Sequence, residues 1–275
     1  MTATLQIGAL ALPVSVQLVA ASVALGAIVG RSVGRRVGID AEPHVWRIGL
    51  VALVAARLAF VWPYREAFLD APLGVLDIRD GGWDAQTGVI AAWACTFVLA
   101  RSRPPLRKPL LSAVGSASLL WIAGSMALLL MPRNETRLPP IDLPALDGTP
   151  TSLTSFEGKP TVINLWATWC PPCQREMPVL QRAQATHPEL HFVFLNQGES
   201  AQTVRRFLAR HSLDLRNLLL DARGQAGARF HQSALPTTLF FDARGRLVDQ
   251  RIGELSGASL AERLVALKPS PTPEP

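Results

Sequence analysis

Two cysteines two residues apart, set directly after a long apolar run, constrain this chain more than anything else in it. Thr161–Ala167 (TVINLWA) reads as a buried strand, and Cys170-Pro171-Pro172-Cys173 as the tight turn and first turn of the helix that follows. A helix N-terminus presents unpaired N–H groups and the positive end of a dipole. A thiol there is favoured as thiolate, so Cys170 is the expected nucleophile. Cys173 lies about one helical turn further on, within reach to resolve a mixed disulfide. Pro171 and Pro172 stiffen the loop, and proline is tolerated in a first helical turn because no hydrogen-bond donor is lost there.

Only three cysteines occur in 275 residues, so the chain is not a disulfide scaffold. Two rival uses of the pair stay open at this point. Cys170-x2-Cys173-x13-His187-x3-His191 has zinc-finger spacing, but Pro188 falls between the histidines, where a finger needs an unbroken helix, and a strand is expected from His191. A purely structural disulfide would close a very small loop, where closure stabilises least.

The first half of the chain is of a different character. Apolar residues concentrate before residue 132, and four spans are expected at 5–29, 46–62, 84–100 and 110–131. A signal peptide would want positive charge before the first run, but Arg31, Arg35 and Arg36 come after it, so a retained helix is expected. The loop after the third span carries Arg101, Arg103, Arg107 and Lys108, whereas the loop between spans two and three is rich in Asp and Glu. The positive-inside rule then places loops one and three in the cytoplasm and both termini outside. The net charge of +6 is thereby read as loop charge beside a lipid bilayer, not as a nucleic-acid surface. Arg57 lies inside a span, where a charge points to a function or partner, or else to helix packing. Cys95, alone in the third span, is read as a packing residue, since passing a disulfide across a membrane takes two thiols.

Beyond a linker at 133–140, Asp147-Gly148 between short apolar runs signals a hairpin. Strands are expected at His191–Asn196, Asn217–Leu220, Thr237–Phe241 and Arg246–Ile252, with helices at Gln202–His211, Gln225–His231 and Leu260–Leu267. Pro178 should kink the helix after Cys173. The segment 269–275 is Pro-rich and expected to be disordered.

WATWCPPC, then REMP, Leu235-Pro236-Thr237-Thr238 and LFFD resemble the TlpA/ResA branch of thioredoxin-like thiol:disulfide oxidoreductases over roughly residues 139–267. After the four transmembrane α-helices expected from the apolar runs, the resemblance implies an α/β thioredoxin-like domain at 141–268. Its central mixed sheet is flanked by helices, preceded by a hairpin and interrupted by a β-α insertion. It implies Cys170 and Cys173 as catalytic residues, with no cofactor beyond their redox-active disulfide and no metal. Thioredoxin itself carries a buried Asp at the position of Asn164, and an amide cannot move a proton. Glu176 matches the family's Glu after the CxxC and is the candidate acceptor of the Cys173 proton, against the plainer reading of a helix-surface Glu. Pro236 matches the cis-proline loop, with Leu235 and Thr237 beside it as substrate-binding residues. Trp169 is expected to flank the cleft or to cap the core. The implied activity is extracytoplasmic reduction of protein disulfides at the bacterial cytoplasmic membrane, apocytochrome c among the clients, fed by a membrane electron donor of the thiol-relay type. Oxidation or isomerisation remains the alternative direction.

Residues 20–100 are similar to the first half of prolipoprotein diacylglyceryl transferase, through LGAIVGRSVGRR and AARLAFVWPYREAFLDAPLGVLDIRDGGWDAQTGVI. The family's His falls at Gln86, which cannot act as a base near neutral pH. The resemblance therefore implies a truncated transferase fold without its chemistry. A lipid- or client-binding module is the remaining alternative.

Overall fold

The computed structural model describes residues 4–7, 10–69, 72–77, 80–130 and 136–267, and it divides into two compact units that meet in sequence at residues 132 and 133. The expected tail at 269–275 and the start of the linker, 133–135, lie outside the described residues.

In the N-terminal unit, β1 (Thr4–Ile7) and β2 (Leu10–Pro13) pair as an antiparallel hairpin. The first span therefore does not begin at Leu5. Its helix, α1, runs Val14–Arg36. Pro13 sets that boundary, because proline lacks an N–H and disfavours helical geometry in the residue before it. Three more helices follow: α2 (Glu42–Val61), α3 (Ala85–Ser102) and α4 (Arg107–Leu130). Among the described residues three helices are long and apolar enough to cross a membrane, not four. The third expected span forms as α3 but falls short, its apolar stretch diluted by Gln86 and Thr87 at one end and Arg101 and Ser102 at the other. Small residues let helices approach: a Cβ on Gly26 of α1 would lie 2.9 Å from the Ala113 carbonyl oxygen of α4.

Arg57 is buried in this unit. It donates from Nε to the Val75 carbonyl (2.8 Å), from Nη1 to Gly82 (2.7 Å) and from Nη2 to Gly74 (3.0 Å). Phe60, Phe68 and Trp83 surround its guanidinium with ring centroids 5.5–5.7 Å away. This is the packing arrangement, an arginine that satisfies loop carbonyls and is shielded by cation–π contacts.

The C-terminal unit opens with a hairpin, β3 (Asp142–Pro144) and β4 (Pro150–Ser152), turning at Asp147-Gly148. Gly148 has φ +93, a conformation that suits glycine. Then come β5 (Thr161–Trp166), α5 (Pro171–Thr186), β6 (His191–Gln197), α6 (Ala201–His211), β7 (Leu218–Asp221) and α7 (Gln225–Arg229). The unit closes with β8 (Thr237–Phe241), β9 (Leu247–Ile252) and α8 (Gly257–Leu267). The sheet order is β7-β6-β5-β8-β9, with β5, β6 and β7 parallel and β8 and β9 antiparallel. This is a thioredoxin-like mixed sheet, with β7 and α7 as the expected insertion. β5 is central and buried at every position, which accounts for its mostly apolar sequence, broken only by Thr161 and Asn164. Two apolar clusters cover the sheet: Met177, Leu180, Val204 and Phe207 pack with Phe192 and Phe240 in one, and Leu153, Phe156 and Phe230 with Ile163 and Leu239 in the other. α5 continues through Pro178 to Thr186, so the proline does not end it.

Candidate active site

The site forms where β5 hands over to α5. Cys170 is the N-cap of α5, with φ −90 and ψ 107, and its Sγ accepts the Cys173 N–H at 3.3 Å. The sulfur thus occupies the place where a Ser or Asp oxygen would cap a helix, facing the donors and the dipole that favour negative charge. Cys170 and Cys173 are joined as a disulfide. Both are buried, and both belong to the apolar cluster against which Leu235 packs. The zinc-finger reading fails on geometry: His187 lies just past the end of α5 beside Glu189, and His191 opens β6, so no helix carries the two.

Trp169, one residue before the first cysteine, is 67% exposed. Its side chain is in solvent, so it does not cap the core. The Leu235–Pro236 peptide is cis, as the motif implied. Thr237 follows it at the buried start of β8 and donates its hydroxyl to the Ala234 carbonyl at 2.7 Å, which braces the proline loop from within.

Glu176 is not a surface residue. It is fully enclosed, one turn beyond Cys173 on α5 and hence on the same helix face. Asn164 Nδ2 donates to its Oε1 at 2.7 Å, and the Leu255 backbone N–H donates to Oε2 at 3.0 Å. Burial pushes this carboxyl up to about 8, against the two donors and Arg251, which pull it down, while Glu254 adds a further upward push. A carboxyl poised there can take or give a proton near neutral pH. Asn164 acts as a support: it also donates to Thr238 Oγ1 at 3.0 Å, linking β5, α5 and β8 at one point.

Sequence reasoning missed the brace behind the cysteine loop. Glu199 accepts the Thr168 N–H (2.7 Å), the Thr168 hydroxyl (2.5 Å) and Asn196 Nδ2 (2.7 Å). Gln174 Nε2 adds a 2.6 Å bond to the Thr168 carbonyl. Both polar groups of the Thr168 backbone are thereby held, and the loop entering Cys170 is fixed from two sides. A polar side chain directly after β6, the strand that pairs with β5, was the available signal.

The C-terminal half of the chain is similar to known proteins. The Redoxin family model matches residues 133–264. The thioredoxin-like protein YneN of Bacillus subtilis is 30% identical over 130 residues, which are 46% of this chain and 75% of that protein. The thiol-disulfide oxidoreductase ResA of Geobacillus thermodenitrificans is 29% identical over 133 residues, 48% of this chain and 76% of that one. Among solved structures, MTB dsbF in its mixed oxidized and reduced forms is 30% identical, with a TM-score of 0.46 over 49% of this chain and 100% of that one.

Proposed function

This chain belongs, through its C-terminal half, to the Redoxin family of thioredoxin-like thiol:disulfide oxidoreductases, and from that premise we propose that it is a membrane-anchored reductase of protein disulfides working outside the cytoplasmic membrane. The observation that carries the reading is the Cys170–Cys173 disulfide at the mouth of α5 with Glu176 buried one turn behind it.

In the reduced protein Cys170, as thiolate, attacks one sulfur of a client disulfide. The client S–S bond breaks, a mixed disulfide forms through Cys170, and the other client sulfur leaves as thiolate. Cys173 then gives its proton to Glu176 and attacks Cys170 Sγ. The client departs with both sulfurs reduced, and the two electrons have come from the Cys170–Cys173 pair, now a disulfide. A membrane donor of the thiol-relay type returns those electrons, and no further cofactor or metal takes part. Leu235, Pro236 and Thr237 present backbone to the client, and the exposed Trp169 offers an apolar face beside the nucleophile. The resemblance to the TlpA/ResA branch supports haem-attachment cysteines of apocytochromes c as one client class.

The test uses the full chain in detergent. Cys170→Ser abolishes reduction of insulin disulfides, and wild-type rates in that variant would end the proposal. Direction is read from the equilibrium potential of the pair. A value near the −270 mV of thioredoxin means a reductase, and one near the −120 mV of DsbA an oxidase, these being approximate reference potentials.

The N-terminal unit we read as a membrane anchor with a truncated transferase-like fold. Gln86 supports the loss of transferase chemistry. Expression of the full chain in a strain depleted of prolipoprotein diacylglyceryl transferase is expected to give no rescue of growth.

A further inference from the structure

Three consecutive residues after β9 each bond to a different part of the site. The Gly253 N–H donates to the Pro236 carbonyl at 2.8 Å, tying the turn to the proline loop. The Leu255 N–H donates to Glu176 Oε2. Between them, Glu254 receives Arg175 side-on: Nε lies 3.1 and 2.9 Å from its two oxygens, and Nη2 2.5 Å from Oε2. Arg175 is the residue before Glu176 on α5. Gly253 has φ +95, so the turn takes a path that other residues rarely follow.

An ion pair as exposed as Arg175 with Glu254 contributes little to global stability. Its geometry gives it a different use. The planar guanidinium fork fixes both distance and orientation of the carboxylate. That fixes residue 254, and with it the N–H of residue 255.

We propose that the turn Gly253-Glu254-Leu255, clipped to α5 by Arg175, is a positioning element that holds the Leu255 N–H on Glu176 and thereby governs proton transfer from Cys173 in the resolving step. This rests on the proton-acceptor role read for Glu176 and adds its regulation by an external clip.

The groups around Glu176 let the clip be separated from a simple charge effect. Asn164 on β5 and Thr238 on β8 are neutral. On its own helix stand Cys173 and Arg175. β9 supplies Arg251, and the turn supplies Glu254. Glu254 acts on Glu176 in two opposed ways: its negative charge pushes the carboxyl up, and the Leu255 donor it positions pulls it down more strongly. Glu254→Gln removes the charge and, by breaking the ion pair with Arg175, loosens the turn that holds the donor. Loss of charge alone would lower the Glu176 titration midpoint, whereas loss of the positioned donor raises it.

The experiment follows the Glu176 carboxyl by pH-difference infrared spectroscopy on the oxidised full chain in detergent, with Glu176→Gln identifying its band. Glu254→Gln and Arg175→Gln are each expected to raise the midpoint by about half a pH unit, equivalent to a roughly threefold slower resolving step at pH 7 that recovers above pH 9. Arg175→Lys keeps a cation at 175 but lacks the two-nitrogen fork, so it too is expected to raise the midpoint, and a wild-type midpoint in that variant would show that charge alone, not the clip, is at work. A midpoint that falls or stays put in Glu254→Gln, or a rate loss that is uniform across pH, would overturn the proposal. The infrared reading needs no turnover. A chain without reductase activity but with the upward shift would sink the proposed function and leave the positioning role standing.

Discussion

At the scale of single residues, Glu176 makes the sharpest demands. Its carboxyl titrates near 4.5 in an unfolded chain and at about 8 in this fold, because burial disfavours the charged form. Between those values the folded state binds a proton that the unfolded state releases. Stability is therefore greatest below about pH 4.5 as far as this group is concerned, and it declines as pH rises towards 8. The full effect is of the order of 5 kcal/mol at most, taking about 1.4 kcal/mol per pH unit. Hydrogen-exchange protection of the β5 amides in the oxidised full chain should fall between pH 5 and 8. Glu176→Gln should flatten that dependence. The same variant loses its proton acceptor, so the mixed disulfide at Cys170 should resolve about 10²-fold more slowly, a typical general-base contribution. Rapid acid quenching of the mixed disulfide would measure it, and resolution at the wild-type rate would remove Glu176 from the chemistry.

Elements show why some of this was legible in the sequence and some was not. The β5–α5 junction was, because a run of buried residues followed by Cys-Pro-Pro-Cys combines a strand signal with helix-start chemistry at adjacent positions. The Asp147-Gly148 hairpin and the helix expected at Gln202–His211 were legible for the same reason, being local patterns of turn residues and period. The start of α1 was misjudged because an apolar composition does not say whether Thr4–Pro13 is helix or hairpin, and Gly8 and Pro13 were its only punctuation. What stayed hidden is long-range. Asn164 and Thr238 meet across 74 residues, and Leu255 reaches Glu176 across 79 through a backbone N–H that has no side-chain signature. Glu199 is the same kind of case, reaching back 31 residues to Thr168. Glu199→Ala would leave the Thr168 N–H and the Asn196 amide without their acceptor, at a cost of about 1–3 kcal/mol for a part-buried group. Because the loss falls on the loop entering Cys170, the expected result is faster amide exchange at Thr168 and a lower kcat. Unchanged exchange there would show that Gln174 alone suffices to hold the loop.

For the whole molecule, the number of crossings decides which compartment the cysteines face. The three helices that pass on length and apolarity, α1, α2 and α4, would put the two ends of the chain on opposite sides of the bilayer. A fourth crossing by α3 puts them on the same side. On the loop charges we propose that α3 crosses as well. Arg31, Arg35 and Arg36 close α1, and Arg101, Arg103, Arg107 and Lys108 join α3 to α4, whereas the segment between α2 and α3 carries an excess of Asp and Glu. With α3 crossing, both basic loops fall on one side, as the positive-inside rule requires; without it they fall on opposite sides. The packing of α3 agrees. Gly88 lets it close on α2, where an added Cβ would stand 3.2 Å from the Ala52 carbonyl oxygen, and the Asp84 side chain caps its first turn through the Thr87 N–H at 2.7 Å. A helix so matched to a spanning neighbour can cross with less apolar length than one exposed to lipid all round. In a chain with Cys95, Cys170 and Cys173 each replaced by Ser, single cysteines at Gly38 and Arg103 should resist a membrane-impermeant maleimide in intact spheroplasts. One at Lys159 should react. Protection at Lys159 with reaction at Arg103 would mean that α3 does not cross and that the redox pair faces the reducing cytosol, where a disulfide reductase of client proteins has far less to act on.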